Sequence, residues 1–360
     1  MKSHNLLLLS FLVIGLIIQP SLNSLSARSS LTSKNTISSF GKIKQKVTWL
    51  HTDGTSIKNE NNETVFLRGV ALGDLSWQTY WAGNITSRIN QLMYLTNGKL
   101  NVIRAAITYY PSSGNVIGNV LDHPEVFDSA MDELMSVAEA NGIYVWTNFH
   151  GTDDPALLSE FKTDPTRLIN WHLHFINRYK DIPNFCGIEV WNEPPSGALT
   201  WAEWHNISQQ VYNAVRAANP NALIIVAGYD YSHINQEWVN NPLGPQAVYS
   251  WDGYWDKSDY NYYVKPYNDG DYATGYAHML ENFLSWTHID APLPIICSEF
   301  GWLPQDNLQA CNDWFTIMNL YNTSWACWMW WGNPANYGLA TDFTYSQPTP
   351  HGTVLVAKLG

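Results

Sequence analysis

The sequence predicts an α/β protein, a (β/α)8 TIM barrel with a short N-terminal hairpin. Eight apolar runs of strand length recur along the chain, and stretches with the apolar spacing of helices separate them. This alternation favours parallel strands, because a parallel connection needs roughly a dozen residues or more and is usually a helix. No run is followed by the Gly-x-Gly-x-x-Gly motif of dinucleotide-binding open sheets. A chain of 360 residues is long enough for a closed barrel, which typically uses roughly 250 residues or more.

The first 46 residues are expected to lie outside the barrel. Residues 1–27 combine a short positive start, a mostly apolar run over Leu6–Ile18 and small residues near Ser24, which is the pattern of a secretion signal peptide. The run is shorter than the ~20 residues that span a bilayer, and an uncleaved membrane anchor is the alternative. Residues 28–46 are rich in Ser, Thr and Lys and predict a flexible leader. The barrel domain is expected over residues 47–360, in a secreted protein.

The elements of the barrel domain follow in order. Val47–Leu50, an Asp-Gly turn signal and the run Thr64–Val70 predict a hairpin that leads into the first barrel strand. The eight strand-like runs are Val65–Val70, Val102–Ile107, Tyr144–Phe149, Gly187–Trp191, Ala222–Ala227, Ala247–Trp251, Pro294–Cys297 and Trp325–Trp331. Apolar spacing predicts helices over Asn84–Leu95, Pro124–Asn141, Pro165–Tyr179, Trp201–Ala218, Tyr276–Trp286 and Asn307–Leu320. The crossover after Gly228 carries little helix signal.

Composition argues against some classes of function. The formal net charge is −12, which argues against nucleic acid, because proteins that bind it present basic patches. Only 14% of the residues are charged, where about 25% is usual, so Asn, Ser, Thr and Tyr supply much of the polarity. The 18 Trp and 20 Tyr provide flat rings that either stack on sugars or fill a large core. No cysteine or histidine spacing matches a metal site, so no metal is expected.

Two of the strand-like runs end in a glutamate. Glu193 follows the apolar run at residues 186–191 and precedes two prolines, which cannot continue a central strand. Glu299 lies near the end of a later stretch, Pro294–Gly301, which contains the run Pro294–Cys297. Because the C-terminal ends of barrel strands meet at one face, both carboxyl groups are expected to face one pocket. Enzymes that hydrolyse glycosidic bonds use such a pair, one group to protonate the leaving oxygen and the other to attack or to activate water.

The ordered set of motifs resembles glycoside hydrolase family 5, the cellulase family of a large clan of retaining (β/α)8 glycosidases. Val190–Pro194 resembles the acid/base motif of that family, and Cys297–Gly301 resembles its nucleophile motif. The resemblance covers residues 47–332, and the other strand ends fall where the family carries its remaining pocket residues. Asp252 departs from the family pattern, which usually has a histidine there, and Ala71 stands where asparagine is frequent.

The resemblance implies a role for each residue of the pocket. Glu193 would be the general acid/base, and Asn192 beside it would bind the 2-hydroxyl of the sugar. Glu299 would be the nucleophile. Arg104 would be the cation that holds the pKa of Glu299 down, and Tyr254 would donate the hydrogen bond that orients it.

Four further residues are expected in or beside the pocket. His150 would contact sugar hydroxyls next to the cleaved bond. Trp330 would be the stacking platform, with Trp331 as the alternative, because a one-residue shift exchanges the faces of a strand. Asp252 either brings a second negative charge towards Glu193, which would raise the pKa of that acid, or points away and caps a loop.

The expected function is that of a secreted, retaining endo-β-1,4-glucanase that acts on a β-glucan polysaccharide or oligosaccharide, as a monomer and without a cofactor. Retention needs two carboxyl groups about 5 Å apart. A β-mannanase or another β-glycan hydrolase is the alternative within the enzyme class, because the motifs do not reveal how the pocket treats the 2-hydroxyl. An inactive carbohydrate-binding barrel is the alternative from another class; loss of a carboxylate would be its sign, and both carboxylates are present.

Overall fold

A ring of parallel strands lies at the centre of the protein. The computed structural model describes residues 47–359, apart from 74, 76–83, 109–120, 152–153, 196, 230, 234–235, 255–273, 275–292 and 303–307. An antiparallel hairpin precedes the ring and consists of β1 (Leu50–Asp53) and β2 (Ser56–Asn59). Gly54 lies in the turn with a φ of 58°, a conformation that glycine adopts at little cost because it has no Cβ. The predicted hairpin is confirmed.

Eight strands close the barrel. They are β3 (Arg68–Ala71), β4 (Val102–Thr108), β5 (Tyr144–His150), β6 (Phe185–Glu189), β7 (Leu223–Ala227), β8 (Ala247–Gly253), β9 (Ile295–Phe300) and β10 (Ser324–Cys327). Each strand is the neighbour of the next in sequence, and β10 pairs in parallel with β3 to complete the ring. Strands β4, β6 and β7 are buried at every residue, as expected where helices cover the outside of a parallel barrel. The predicted (β/α)8 barrel is confirmed.

Helices lie in the crossovers between the strands, and one more follows the last strand. Those in the described part of the chain are α1 (Ile85–Leu95), α2 (Asp128–Asn141), α3 (Pro155–Thr163), α4 (Thr166–Tyr179), α5 (Trp201–Ala218), α6 (Gln236–Asn240), α7 (Leu308–Leu320) and α8 (Pro350–Leu359). Short 3-10 helices cover Pro124–Phe127 and Pro334–Asn336. The crossover with little helix signal contains the five-residue α6.

Capping residues explain where two of the helices begin. Asn84 precedes α1, and its side chain accepts a hydrogen bond of 2.8 Å from the backbone N–H of Ser87. Thr200 and Glu203 form a reciprocal capping box at the start of α5. Each interaction satisfies N–H groups that the first turn of a helix leaves without a partner.

Helices α3 and α8 were not predicted, and the predicted helix over Tyr276–Trp286 lies outside the described residues.

The hairpin covers the N-terminal end of the barrel. Leu50 and Ile57 belong to one apolar cluster with residues at the starts of the strands, such as Val102 and Leu223. The side chain of Gln246, directly before β8, donates a hydrogen bond of 3.2 Å to the carbonyl of Leu50. Apolar side chains therefore fill this end of the barrel, and the polar groups of the interior lie towards the C-terminal ends of the strands.

Much of the aromatic content belongs to the core. Within the described ranges, the wholly buried tryptophans are Trp146, Trp171, Trp191, Trp204, Trp238, Trp251, Trp314, Trp325 and Trp330.

The four cysteines, all in described positions, are buried free thiols. In the same ranges, no helix has the length and apolar character needed to cross a membrane.

Candidate active site

Polar side chains from four strands converge at the C-terminal end of the barrel. Arg104 lies in β4, and Glu299 is near the end of β9. Asn192 and Glu193 follow β6, and Tyr254 directly follows β8. Hydrogen bonds connect four of these residues, Arg104, Asn192, Tyr254 and Glu299, into one network. Residues that are far apart in sequence thus share one site, as expected for the strand ends of a barrel.

Arg104 is the centre of the network. Its guanidinium holds Glu189 with two hydrogen bonds of 2.8 Å, through Nε and Nη2. Nη1 donates to Oε2 of Glu299 at 2.5 Å, and Nη2 donates to Oδ1 of Asn192 at 2.5 Å. Burial alone would lower the pKa of Arg104, but the negative charges of Glu189 and Glu299 outweigh it and hold the pKa above its ordinary value. Arg104 is therefore a permanent cation that positions three side chains.

Glu299 is held through both of its carboxyl oxygens. Arg104 binds Oε2, and the hydroxyl of Tyr254 donates to Oε1 at 2.7 Å. Burial raises the pKa of Tyr254 well above its ordinary value, and the negative charge of Glu299 raises it further. The phenol therefore keeps its proton and remains a donor. A carboxylate with one donor on each oxygen has a fixed orientation, which suits a nucleophile.

Glu193 leaves the strand end in an unusual backbone conformation. Its φ of 41° lies in the left-handed region, which costs about 1–2 kcal/mol for a residue with a Cβ. Its neighbours are fixed, because the N–H of Asn192 donates to Phe149 at 2.9 Å and the carbonyl of Pro194 accepts from Tyr231 at 3.0 Å. Glu193 itself is partly exposed. Backbone strain of this kind is concentrated at functional sites, where the surroundings hold it in place.

Trp328 provides an aromatic surface beside the site. Its ring stacks on His150 with centroids 5.1 Å apart and planes at 15°, and the guanidinium of Arg104 lies 5.9 Å from the ring centroid. Trp328 is partly exposed. Nδ1 of His150 lies 3.0 Å from Oδ1 of Asn148, within hydrogen-bond distance. The predicted His150 therefore lies at the strand ends, against a ring that can face a substrate.

The stacking role predicted for Trp330 is wrong. Trp330 is 0% exposed and packs near Tyr345, so its ring has no surface to offer a sugar. Trp331 is 8% exposed, and its ring packs edge-on against Phe343 at 5.0 Å. Trp328 is the ring of this Trp-rich segment that has both exposure and a position over the network.

Asp252 lies beside Glu299. The strand register pairs Asp252 in β8 with Glu299 in β9, and Oδ1 of Asp252 accepts a hydrogen bond of 2.7 Å from the hydroxyl of Ser298. The side chain is buried and interacts electrostatically with Glu299, Arg104 and Glu193. The structure thus places this carboxyl inside the site.

Glu189 and the exposed ring of Trp328 are site residues that were not predicted from the sequence. Glu189 is wholly buried, and in addition to its bonds with Arg104 it accepts a hydrogen bond of 3.0 Å from Nε1 of Trp146. A single carboxylate within an apolar strand was the available signal, because a buried charge needs a partner.

In the described part of the chain, no group of three or more His, Cys, Asp and Glu side chains has the arrangement of a metal site.

The Cellulase family model (glycosyl hydrolase family 5) matches residues 58–334 of the chain. Endoglucanase CelA of Streptomyces lividans is 26% identical over 230 residues, which cover 60% of this chain and 46% of that protein. An endoglucanase of Paenibacillus polymyxa is 24% identical over 225 residues, which cover 57% of this chain and 54% of that protein. The chain spans about half the length of these curated relatives.

Solved structures share the fold. A β-glucanase from Saccharophagus degradans superposes with a TM-score of 0.67 at 17% identity, over 88% of this chain and 94% of that chain. The catalytic domain of a Thermobifida fusca endoglucanase in complex with cellotetraose superposes with a TM-score of 0.64 at 16% identity, over 87% of this chain and 97% of that chain. At these identities the likeness establishes the barrel fold.

Proposed function

Because this chain belongs to glycosyl hydrolase family 5 and is a glycoside hydrolase, we propose that it hydrolyses internal β-1,4 bonds of a glucan with retention of configuration. The observation that carries the proposal is the way Glu299 is held, with Arg104 on one carboxyl oxygen and Tyr254 on the other. Glu193 lies on a different strand end and is partly exposed. One carboxyl is thus held in a fixed orientation, and the other can reach substrate and solvent.

The two glutamates divide the reaction between them. Glu299 attacks the anomeric carbon while Glu193 gives its proton to the leaving glycosidic oxygen, which produces a covalent glycosyl-enzyme. Glu193 then takes a proton from water, the water oxygen attacks the anomeric carbon, and the bond to Glu299 breaks. The separation of about 5 Å that retention requires between the two carboxyl groups stays a prediction.

Asn192 and Arg104 supply binding and electrostatic stabilisation. Arg104 holds Oδ1 of Asn192, so the Nδ2 group of Asn192 is the part of that amide that can donate to the 2-hydroxyl of the sugar. The cation beside Glu299 favours release of the nucleophile from the glycosyl-enzyme, because its positive charge stabilises the carboxylate that leaves. Trp328 offers the ring on which a sugar can stack.

The names of similar proteins support a β-glucan as the substrate. Two relatives are named endoglucanases, and two solved neighbours contain cellotetraose. The test is the release of reducing sugar by the purified full-length chain from soluble β-1,4-glucan and from β-1,4-mannan, with Glu299→Gln as the variant. We expect glucan cleavage that Glu299→Gln lowers by at least about 1,000-fold, because the nucleophile is lost.

Glu60→Gln is the matched control, because Glu60 is an exposed carboxylate of the hairpin end, and it should retain wild-type turnover. Cleavage of mannan alone would contradict the glucan assignment and leave the mechanism unchanged. A fully active Glu299→Gln enzyme would contradict the assignment of the nucleophile.

We also propose that the protein is exported, with residues 1–27 as a cleaved signal peptide. The apolar run and the small residues that follow it support this proposal. Expression of the full chain in a secreting host should give protein in the medium with an N-terminus near residue 28, as read by N-terminal sequencing. A membrane-bound product that retains residue 1 would contradict cleavage and favour the anchor.

A further inference from the structure

A shift in strand register sets Asp252 beside the proposed nucleophile. Along the β8–β9 pair, Trp251 is matched with Cys297, and the next match is Asp252 with Glu299. Ser298 therefore has no partner on β8. An extra residue of this kind re-aims the side chains next to it. Here it pairs Asp252 with Glu299 across the two strands and leaves the hydroxyl of Ser298 to donate to Oδ1 of Asp252.

The surroundings of Asp252 fit a neutral acid better than an anion. The residue is 3% exposed, and its Oδ2 has no hydrogen-bond partner among the residues that the structure describes. An ionised carboxylate needs donors on both oxygens, and a buried charge without them costs far more than a buried neutral acid. Arg104, the nearby cation, already donates to Glu189, Asn192 and Glu299.

Most of the charges around Asp252 also favour its neutral form. The titratable and charged groups that interact with it are Glu299 and Cys297 on β9, Arg104 on β4, Glu189 on β6, Glu193 after β6 and Tyr254 after β8. Burial raises the pKa of Asp252 well above its ordinary value, Glu299 raises it further, and Arg104 opposes the two only in part. The carboxyl is therefore neutral at a pH where an exposed aspartate is ionised.

We propose that Asp252 is a positioning residue that works as a neutral carboxylic acid, and that its ionisation on the alkaline side draws Arg104 away from Glu299 and ends activity. The proposal rests on the proposed role of Glu299. In the neutral form, Oδ1 accepts from Ser298 and Oδ2 carries the proton. In the ionised form, Asp252 is a second anion that competes for Arg104 and repels Glu299.

The kinetic test uses an aryl β-cellobioside whose phenol is a leaving group good enough to need no acid assistance. With this substrate, the fall of kcat/KM on the alkaline side does not depend on the proton of Glu193. We expect wild type to show such a fall, and Asp252→Asn to shift it upward by at least about one pH unit or to remove it. Asp252→Ala, which leaves the Ser298 hydroxyl without its acceptor, should lower kcat/KM by about tenfold or more, and Asp252→Asn should recover most of that loss.

Ser298→Ala provides a second test that leaves Asp252 in place. A hydrogen bond to a carboxyl oxygen favours the charged form, so the loss of the Ser298 hydroxyl should move the alkaline fall of kcat/KM upward, in the same direction as Asp252→Asn. An alkaline fall that stays in place or moves to lower pH in both variants would overturn the proposal, because Asp252 would then not limit activity.

Infrared difference spectroscopy reads the proton without turnover. Wild type at neutral pH should show the carbonyl stretch of a protonated carboxylic acid that Asp252→Asn lacks and that disappears from wild type as pH rises. Absence of that band at neutral pH would overturn the proposal. Because this band does not depend on catalysis, it separates a failure of the Asp252 assignment from a failure of the proposed function, which an active Glu299→Gln enzyme would reveal.

Discussion

Arg104 shows at the scale of one residue how the site is held. Its planar guanidinium carries five N–H donors in a fixed arrangement, and it directs them to Glu189, Asn192 and Glu299. A lysine at the same position would bring a point charge on a flexible stem, without the bidentate geometry. The site therefore depends on the shape of the cation as well as on its charge.

Arg104→Lys should lower kcat by about 100-fold or more, because displacement of a catalytic group by about 1 Å can cost that much. The measurement is kcat on soluble glucan, together with the midpoint of thermal unfolding. Arg68→Lys is the matched control, since Arg68 lies at the start of β3 and donates to the carbonyl of Asn319, away from the network. An Arg104→Lys enzyme within about threefold of wild type would contradict the positioning role of the guanidinium.

The sequence predicts which residues lie at the C-terminal end of a strand where prolines or a carboxylate follow the apolar run, as at Glu193 and Glu299. The sequence does not distinguish Trp328 from Trp330, because residues two apart are expected on the same face of a regular strand. The regular strand β10 ends at Cys327, so alternation no longer applies to the residues that follow. The structure is needed to show which ring is buried.

At the scale of elements, the existence and order of the strands follow from the sequence, but their ends do not. Strand β6 ends at Glu189 and β10 at Cys327, although both apolar runs continue to a later tryptophan. Apolar residues beyond the last ladder position are still buried, as Trp191 is. Hydrophobicity in the sequence therefore indicates burial, and burial continues beyond the last residue of regular strand pairing.

The register of β8 against β9 is another property that a single sequence does not reveal. The two strands are separated by a long crossover, and the shift between Trp251 and Asp252 arises from their pairing. A one-residue change in register exchanges the faces of a strand, so it decides whether Asp252 faces Glu299. Both orientations of Asp252 were open from the sequence for this reason.

In the whole molecule, the two ends of the barrel have different roles: apolar packing stabilises one end, and the residues of the proposed chemistry lie at the other. The hairpin and the apolar residues around Leu50 fill the N-terminal end, and the Arg104 network occupies the opposite end. The network joins positions that are 85, 88 and 195 residues from Arg104. The network can form only when the ring is closed, so activity reports on the integrity of the whole fold.

Trapping of the glycosyl-enzyme identifies the nucleophile of the reaction by a covalent bond. A 2-fluoro-cellobioside with a good leaving group slows breakdown of the covalent intermediate, so mass spectrometry of proteolytic peptides can locate the sugar. Attachment to Glu299 is the predicted result. Attachment to another carboxyl group, such as Asp252 or Glu193, in an enzyme that cleaves glucan would show that Glu299 is not the nucleophile.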